Sequence, residues 1–267
     1  MKKQLFLSVL ILDVLLSLSI AFAGKIQETF EKTVDLKSGG TVVLRNTNGA
    51  VRVASWGKDQ VRIIAEKTVR ARSQREAERI MKQVEIIVDT SPDRVEIESD
   101  YPRNRGGAGS FWDLFFGGSH SQVSIEYELT VPENVQLDLR TTNGSVTIES
   151  VSGEIRARST NGAVKLSEVH GTIYAKTTNG RIQAEVMSFT ERDDIDLNTT
   201  NGSIKLYLPE STRADVRAST TNGSISTDFE LVVTGKFTRK KLHGSINGGG
   251  GRIDLNTTNG SIGIQQR

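Results

Sequence analysis

The chain has 267 residues and no Cys, and 34 basic against 32 acidic side chains leave a formal charge of +2. The missing Cys excludes a disulfide framework, a zinc–thiolate centre, a Cys nucleophile and an acylated lipoprotein anchor, while the near-neutral balance argues against a dedicated nucleic-acid binder. With 25 Gly against 4 Pro and only 6% aromatic residues the composition is glycine-rich, yet Val, Ile and Leu recur too regularly for a disordered polymer.

In chain order, residues 1–23 read as a signal peptide. Lys2 and Lys3 form a basic n-region, Leu5 to Phe22 an apolar h-region, and Ala21-Phe22-Ala23 a cleavage site before Gly24. An uncleaved membrane anchor is the other reading of this stretch, and Asp13 inside it and the A-x-A end argue against that. Residues 24–267, with 32 basic and 31 acidic side chains, are then an exported and nearly neutral protein forming one all-β domain. Asn48-Gly49 already resembles the turns that dominate the second half of the chain. Between about 61 and 130 that rhythm breaks, and the segment reads as an insertion or cap. Ser73-Gln-Arg-Glu76 opens a short helix to about Gln83 with Ala77, Ile80 and Met81 on one face. Strands follow at Val84–Val88 and Val95–Glu98, joined by a turn at Pro92 and Asp93. Next comes Phe111-Trp-Asp-Leu-Phe-Phe116, bracketed by Gly106-Gly107-Ala108-Gly109 and Gly117-Gly118. A further strand at Val123–Val131 ends at Pro132.

The main repeats occupy 135–267. Gly144, Gly153, Gly162, Gly171 and Gly180 fall nine apart, and Asn-Gly marks alternate members, so the full period is eighteen. Apolar pairs keep the same time at Leu137/Leu139, Val146/Ile148, Ile155/Ala157, Val164/Leu166, Ile173/Ala175 and Ile182/Ala184, each alternating with polar neighbours as a strand with one buried face does. After a slip near Met187 the pairs return at Ile195/Leu197 and Ile204/Leu206, and close with Ile253/Leu255 and Ile262/Ile264. An antiparallel meander with type I′ hairpins would use Asn-Gly in this way. A β-solenoid, a single-stranded parallel β-helix, fits better, because Thr-Thr-Asn-Gly turns alternate with plainer Ser-Gly and His-Gly turns and a solenoid stacks each Asn on the next. Seven coils of eighteen are expected after Val135, with Asn143, Asn161 and Asn179 in one ladder of buried amides and Leu137, Ile155 and Ile173 stacked inside.

The helix insertion, the segment Tyr127-Glu-Leu-Thr-Val-Pro-Glu-Asn-Val-Gln-Leu-Asp-Leu139 and the Thr-Thr-Asn-Gly-Ser repeats resemble a bacterial β-strand-repeat family, a domain of unknown function catalogued as a presumed adhesin. The resemblance spans about Lys25 to Arg267. It implies a cell-envelope or surface protein and carries no catalytic residues to transfer.

Two surfaces are candidates for binding. Phe111, Trp112, Leu114, Phe115 and Phe116 have no strand or helix period and Gly on both sides, which suits a loop that docks on a protein partner, a membrane or the molecule's own flank. Outward positions Arg140, Arg156, Arg158 and Lys176, with Tyr174, would stack into a basic stripe for an anionic envelope polymer, or simply keep a flat sheet soluble. Glu191, Asp193, Asp194 and Asp196 cluster at the phase slip and read as a solvated loop, and no acidic column is expected on the outward positions. His120, His170 and His243 lack metal-ligand spacing, and Gly248-Gly-Gly-Gly251-Arg252-Ile253-Asp254 is one position out of step with a calcium β-roll repeat. No catalytic residue, cofactor, metal or nucleic acid is expected. The reading is an exported, non-enzymatic adhesin or binding scaffold; the alternatives are a polysaccharide-active enzyme on a parallel β-helix and a periplasmic envelope-stress or signalling component.

Overall fold

The computed structural model describes residues 24–101, 121–233 and 238–267. The signal segment 1–23 and the aromatic segment Phe111–Phe116 lie outside the described residues. The chain opens with β1 (Lys25–Asp35), β2 (Thr41–Arg45), β3 (Val51–Trp56) and β4 (Gln60–Arg70), then α1 (Gln74–Met81), a hairpin of β5 (Glu85–Ser91) and β6 (Arg94–Asp100), and β7 (Gln122–Pro132). The repeats supply β8 (Gln136–Asn143), β9 (Val146–Glu149), β10 (Ile155–Asn161), β11 (Val164–His170), β12 (Ile173–Asn179), β13 (Ile182–Ser188), β14 (Asp194–Asn201) and β15 (Ile204–Leu208). The chain ends with β16 (Ala214–Asn222), β17 (Ile225–Thr227), the hairpin strands β18 (Leu231–Val233) and β19 (Lys241–Ile246), β20 (Gly251–Asn259) and β21 (Ile262–Gln266).

These strands form two sheets. Sheet I runs β1-β4-β7-β3-β9-β11-β13-β15-β21-β17, and sheet II runs β18-β19-β16-β20-β14-β12-β10-β8-β2-β6-β5. Each nine-residue unit supplies one strand, and successive units go to opposite sheets. Residue i therefore pairs in parallel with i+18: Ile155 lies between Leu137 and Ile173, and Val164 between Val146 and Ile182. The apolar pairs of both sheets point inward and meet in one core, where Leu137, Leu139, Ile148, Ile155, Leu166 and Ile173 are all buried. The antiparallel meander is overturned for the repeats.

The turn sequence has a part for each residue. The first Thr or Ser faces inward and donates its hydroxyl to a glycine carbonyl of the neighbouring unit, as Ser159 does to Gly144 (2.9 Å) and Thr177 to Gly162 (2.8 Å). The Asn side chain donates Nδ2 to the Asn Oδ1 of the preceding unit in the stack, at 2.7 Å from Asn161 to Asn143 and 2.8 Å from Asn179 to Asn161. That ladder runs from Asn48 to Asn222 and was expected to be buried. Its members from Asn161 onward are exposed, because two residues past an inward Thr the chain has already left the core and entered the turn.

At one end β1 and β4 pair antiparallel outside β7. There α1 buries Ala77, Ile80 and Met81, and Ser73 caps it by accepting from Glu76 N (3.2 Å). At the other end chain order fails. β20 lies between β14 and β16, and β21 between β15 and β17. The last unit is thus slotted between two earlier ones, and the units after Val135 number six among the described residues rather than seven, since β18 and β19 pair antiparallel at the edge instead of adding a unit. The apolar register of Ile195/Leu197, Val216/Ala218 and Ile253/Leu255 is interchangeable. The outward charges differ between the three strands: Arg252 sits between Asp194 and Asp215, and Asp254 between Asp196 and Arg217.

Candidate ligand-binding face

The outward face of sheet II carries ordered columns. Arg140, Arg158 and Lys176 occupy one column in direct register, and Arg45 of β2 extends it on the far side of Arg140. Arg156 does not join it. It lies in the neighbouring column between Asp138 and Tyr174, with its guanidinium 4.5 Å from the Tyr174 ring centre and an ion pair to Glu154. Asp138 sits against the basic column and accepts from Arg140 (3.1 Å) and Arg158 (3.5 Å). These side chains remain 38–46% exposed, so both guanidiniums still face solvent. Arg45 went unread in the sequence although Leu44-Arg45-Asn46-Thr47-Asn48-Gly49 matches Leu139-Arg140-Thr141-Thr142-Asn143-Gly144 in phase.

Beyond Lys176 the same column continues as Asn198, Asn256 and Ser219, and ends at Lys241 of β19. Beside it the second Thr of each turn forms a row of Thr160, Thr178, Thr200, Thr258 and Thr221, all exposed. Lys176, Asn198, Asn256 and Ser219 with Thr200, Thr258 and Thr221 line a shallow trough of about 370 Å³. The face therefore offers a run of positive charge, then amides and hydroxyls closed by Lys241, and one aromatic ring in the adjacent column.

The acidic residues are arranged differently from the sequence reading. Asp193 closes the loop, accepting from Thr190 N (2.8 Å) and Oγ1 (2.7 Å), and Glu191 pairs with Arg213 at 3.6 Å. Asp194 and Asp196, however, meet Arg252 and Asp254 across the slotted strand, so Asp196 and Asp254 stand in one column where no acidic column was expected. Only the placement of β20 creates it. Arg252 hydrogen-bonds Asp254, and that contact together with Asp194 and Asp196 pushes the guanidinium pKa up. Among the described residues no three His, Asp or Glu side chains gather as a metal site. His170 Nδ1 contacts Ser188 Oγ at 2.8 Å, and His243 stands opposite Arg217.

Just past β6, Tyr101 and Tyr127 are buried in a polar knot. Tyr101 donates to Asn46 Oδ1 (2.8 Å), Ser99 joins Asn46 (3.1 Å) and Tyr127 (2.7 Å), and burial pushes both phenol pKa values up. Phe111, Trp112, Leu114, Phe115 and Phe116 lie outside the described residues.

A model of the family described as Toastrack DUF4097 matches residues 113–265, more than half of the chain. The chain belongs to the Toastrack family. Solved structures place the Toastrack chain among similar folds. A presumed cell adhesion protein from Clostridium sporogenes aligns over 89% of this chain and 99% of its own at 13% identity, with a TM-score of 0.50. A presumed adhesin from Bacteroides fragilis aligns over 90% and 97% at 9% identity, with a TM-score of 0.40. At 13% identity the likeness to the Clostridium sporogenes protein is one of fold. No curated protein matches the Toastrack chain.

Proposed function

We propose that residues 24–267 are an exported, non-enzymatic scaffold of the cell envelope or surface, coiled as a β-solenoid, whose sheet II face binds an acidic envelope polymer. The register of Arg45, Arg140, Arg158 and Lys176 carries this reading. One cation per strand, at the roughly 4.8 Å strand spacing, meets a linear polyanion with a charge at each step, and the Thr row and the trough offer hydroxyls and amides to its sugar hydroxyls. The eighteen-residue parallel register supports the solenoid. The surface role agrees with the name of the Clostridium sporogenes protein, presumed to act in cell adhesion. Asp194, Asp196 and Asp254 are the observation that favours a polysaccharide-active enzyme instead, and their common partner Arg252 speaks for a structural ion network. A membrane or protein contact through Phe111, Trp112, Leu114, Phe115 and Phe116 is the reading that suits a signalling or envelope-stress component; replacing 106–118 by a Gly/Ser linker would abolish envelope association in that case and leave polymer binding intact.

The test is titration of the chain from Gly24 onward with a polyuronate and with neutral dextran. Polyuronate binding that weakens with salt, falls roughly tenfold or more in Arg140→Ser/Arg158→Ser/Lys176→Ser, and strengthens in Asp138→Asn is expected. Equal binding by the triple variant and the parent overturns the assignment of the face. Shortening of the polymer during the titration overturns the non-enzymatic reading.

A further inference from the structure

The turn ladder is a row of Asn-Gly bonds, and Asn-Gly is the dipeptide most open to succinimide chemistry because no side chain shields the glycine nitrogen. Four of these turns share the sequence Thr-Thr-Asn-Gly-Ser, at Asn143, Asn201, Asn222 and Asn259. In a flexible peptide they would react alike. In the fold their glycine nitrogens differ. Gly144 N donates to Asn161 O, Gly202 N to Asn259 O and Gly260 N to Asn222 O, each at 3.0 Å. All these bonds point the same way along the stack, and beyond the last member there is no further parallel unit: residues 239–240 lie there and accept from Thr220 N and Ile225 N (2.9 Å each) but not from Gly223 N. Gly223 N makes no hydrogen bond among the described residues. The side chains show the same end effect: Asn222 Nδ2 donates to Asn259 Oδ1 (2.8 Å), while nothing among the described residues donates to Asn222 Oδ1. Exposure does not separate the sites, since Asn201, Asn222 and Asn259 all face solvent.

We propose that Asn222-Gly223 is a deamidation site, and that the backbone ladder protects the turns before it. Hydroxide removes the Gly223 amide proton; the nitrogen attacks Asn222 Cγ, the N–Cγ bond forms, the Cγ–Nδ2 bond breaks and ammonia leaves. Water then opens the succinimide at either carbonyl to give Asp or isoaspartate at 222. An interior glycine must first give up its hydrogen bond to the neighbouring strand before its nitrogen can act. The product places a carboxylate beside Asn259 Oδ1 in place of a donor, or adds a methylene to the backbone of the outermost turn.

Incubation of the folded protein in mildly alkaline buffer, followed by peptide mapping with mass spectrometry and isoaspartate detection, tests this. Asn222 should convert roughly tenfold or more faster than Asn143, Asn201 and Asn259, the margin that protection by an amide hydrogen bond supplies at about 1.4 kcal/mol per decade. In urea the four rates should converge. Asn247-Gly248 is outside the ladder and is read separately; its Nδ2 is tied to the Glu210 and Thr212 carbonyls. In Asn222→Ser the ladder ends at Asn259 while Gly260 N keeps its backbone acceptor, so Asn259 should stay protected. Equal folded-state rates at the four sites, or a rise at Asn259 in that variant to the parent rate of Asn222, overturns the proposal.

Discussion

A Cβ built at Gly162 would lie 2.0 Å from the Gly144 carbonyl oxygen, and the same collision recurs at Gly180 (2.1 Å) and Gly202 (1.9 Å). The glycine of each turn is therefore required by the approach of neighbouring backbones, and its partner Asn by a weaker interaction. Gly162→Ala should cost about 3 kcal/mol or more, since no flexible side chain is available to yield. Asn161→Ala removes two solvent-exposed amide bonds and should cost about 1 kcal/mol. Urea unfolding of both variants checks the order, and a glycine variant milder than the asparagine variant contradicts it. The sequence showed which residues stack, because identical turns recur at a fixed interval. It did not show how deep they lie, since the spacing of Asn is the same for a buried and an exposed ladder.

Among single elements, α1 was the most legible, because its start is written locally: Ser73 caps, Glu76 follows three residues later, and Ala77, Ile80 and Met81 share a face. Ser73→Ala should lower stability by about 1 kcal/mol in chemical denaturation, whereas Arg75→Ala, at an exposed position without a cap, should change little. The reciprocal half of the capping box is replaced, with the Glu76 carboxylate accepting instead from Ser121 Oγ at 3.3 Å. β17 and β18 were illegible, as three residues are too few to display a period. The basic column was legible in Arg140, Arg158 and Lys176. Arg156 was misassigned because alternate outward residues of one strand fall in different columns, a distinction that spacing along the chain does not make.

In the molecule as a whole, the units from β8 to β13 pair with neighbours eighteen residues away, but Asp194 pairs with Arg252 and Ile204 with Ile262, fifty-eight positions on. A stack in simple chain order could lose its final unit and keep the rest, as linear repeats do. Here the final unit supports both neighbours. A chain ending at Ile246 should leave the amides of β16 and β17 exchanging at unfolded rates while those of β8 to β13 stay protected, by hydrogen exchange. Protection of β16 and β17 in that shortened chain would show that they close on β14 and β15 unaided. The sequence hides this arrangement because the apolar pairs of β14, β16 and β20 occupy the same register positions.

For a polypeptide that emerges N-terminus first, from a ribosome or through a membrane pore, the slotted strand sets a clock. The two units that flank it appear before it does. The stack then waits for residues 251–267, whose two strands fill the gap. Until that moment the unfinished gap keeps this end of the protein open, a delay that a neighbour-by-neighbour order of assembly would not impose.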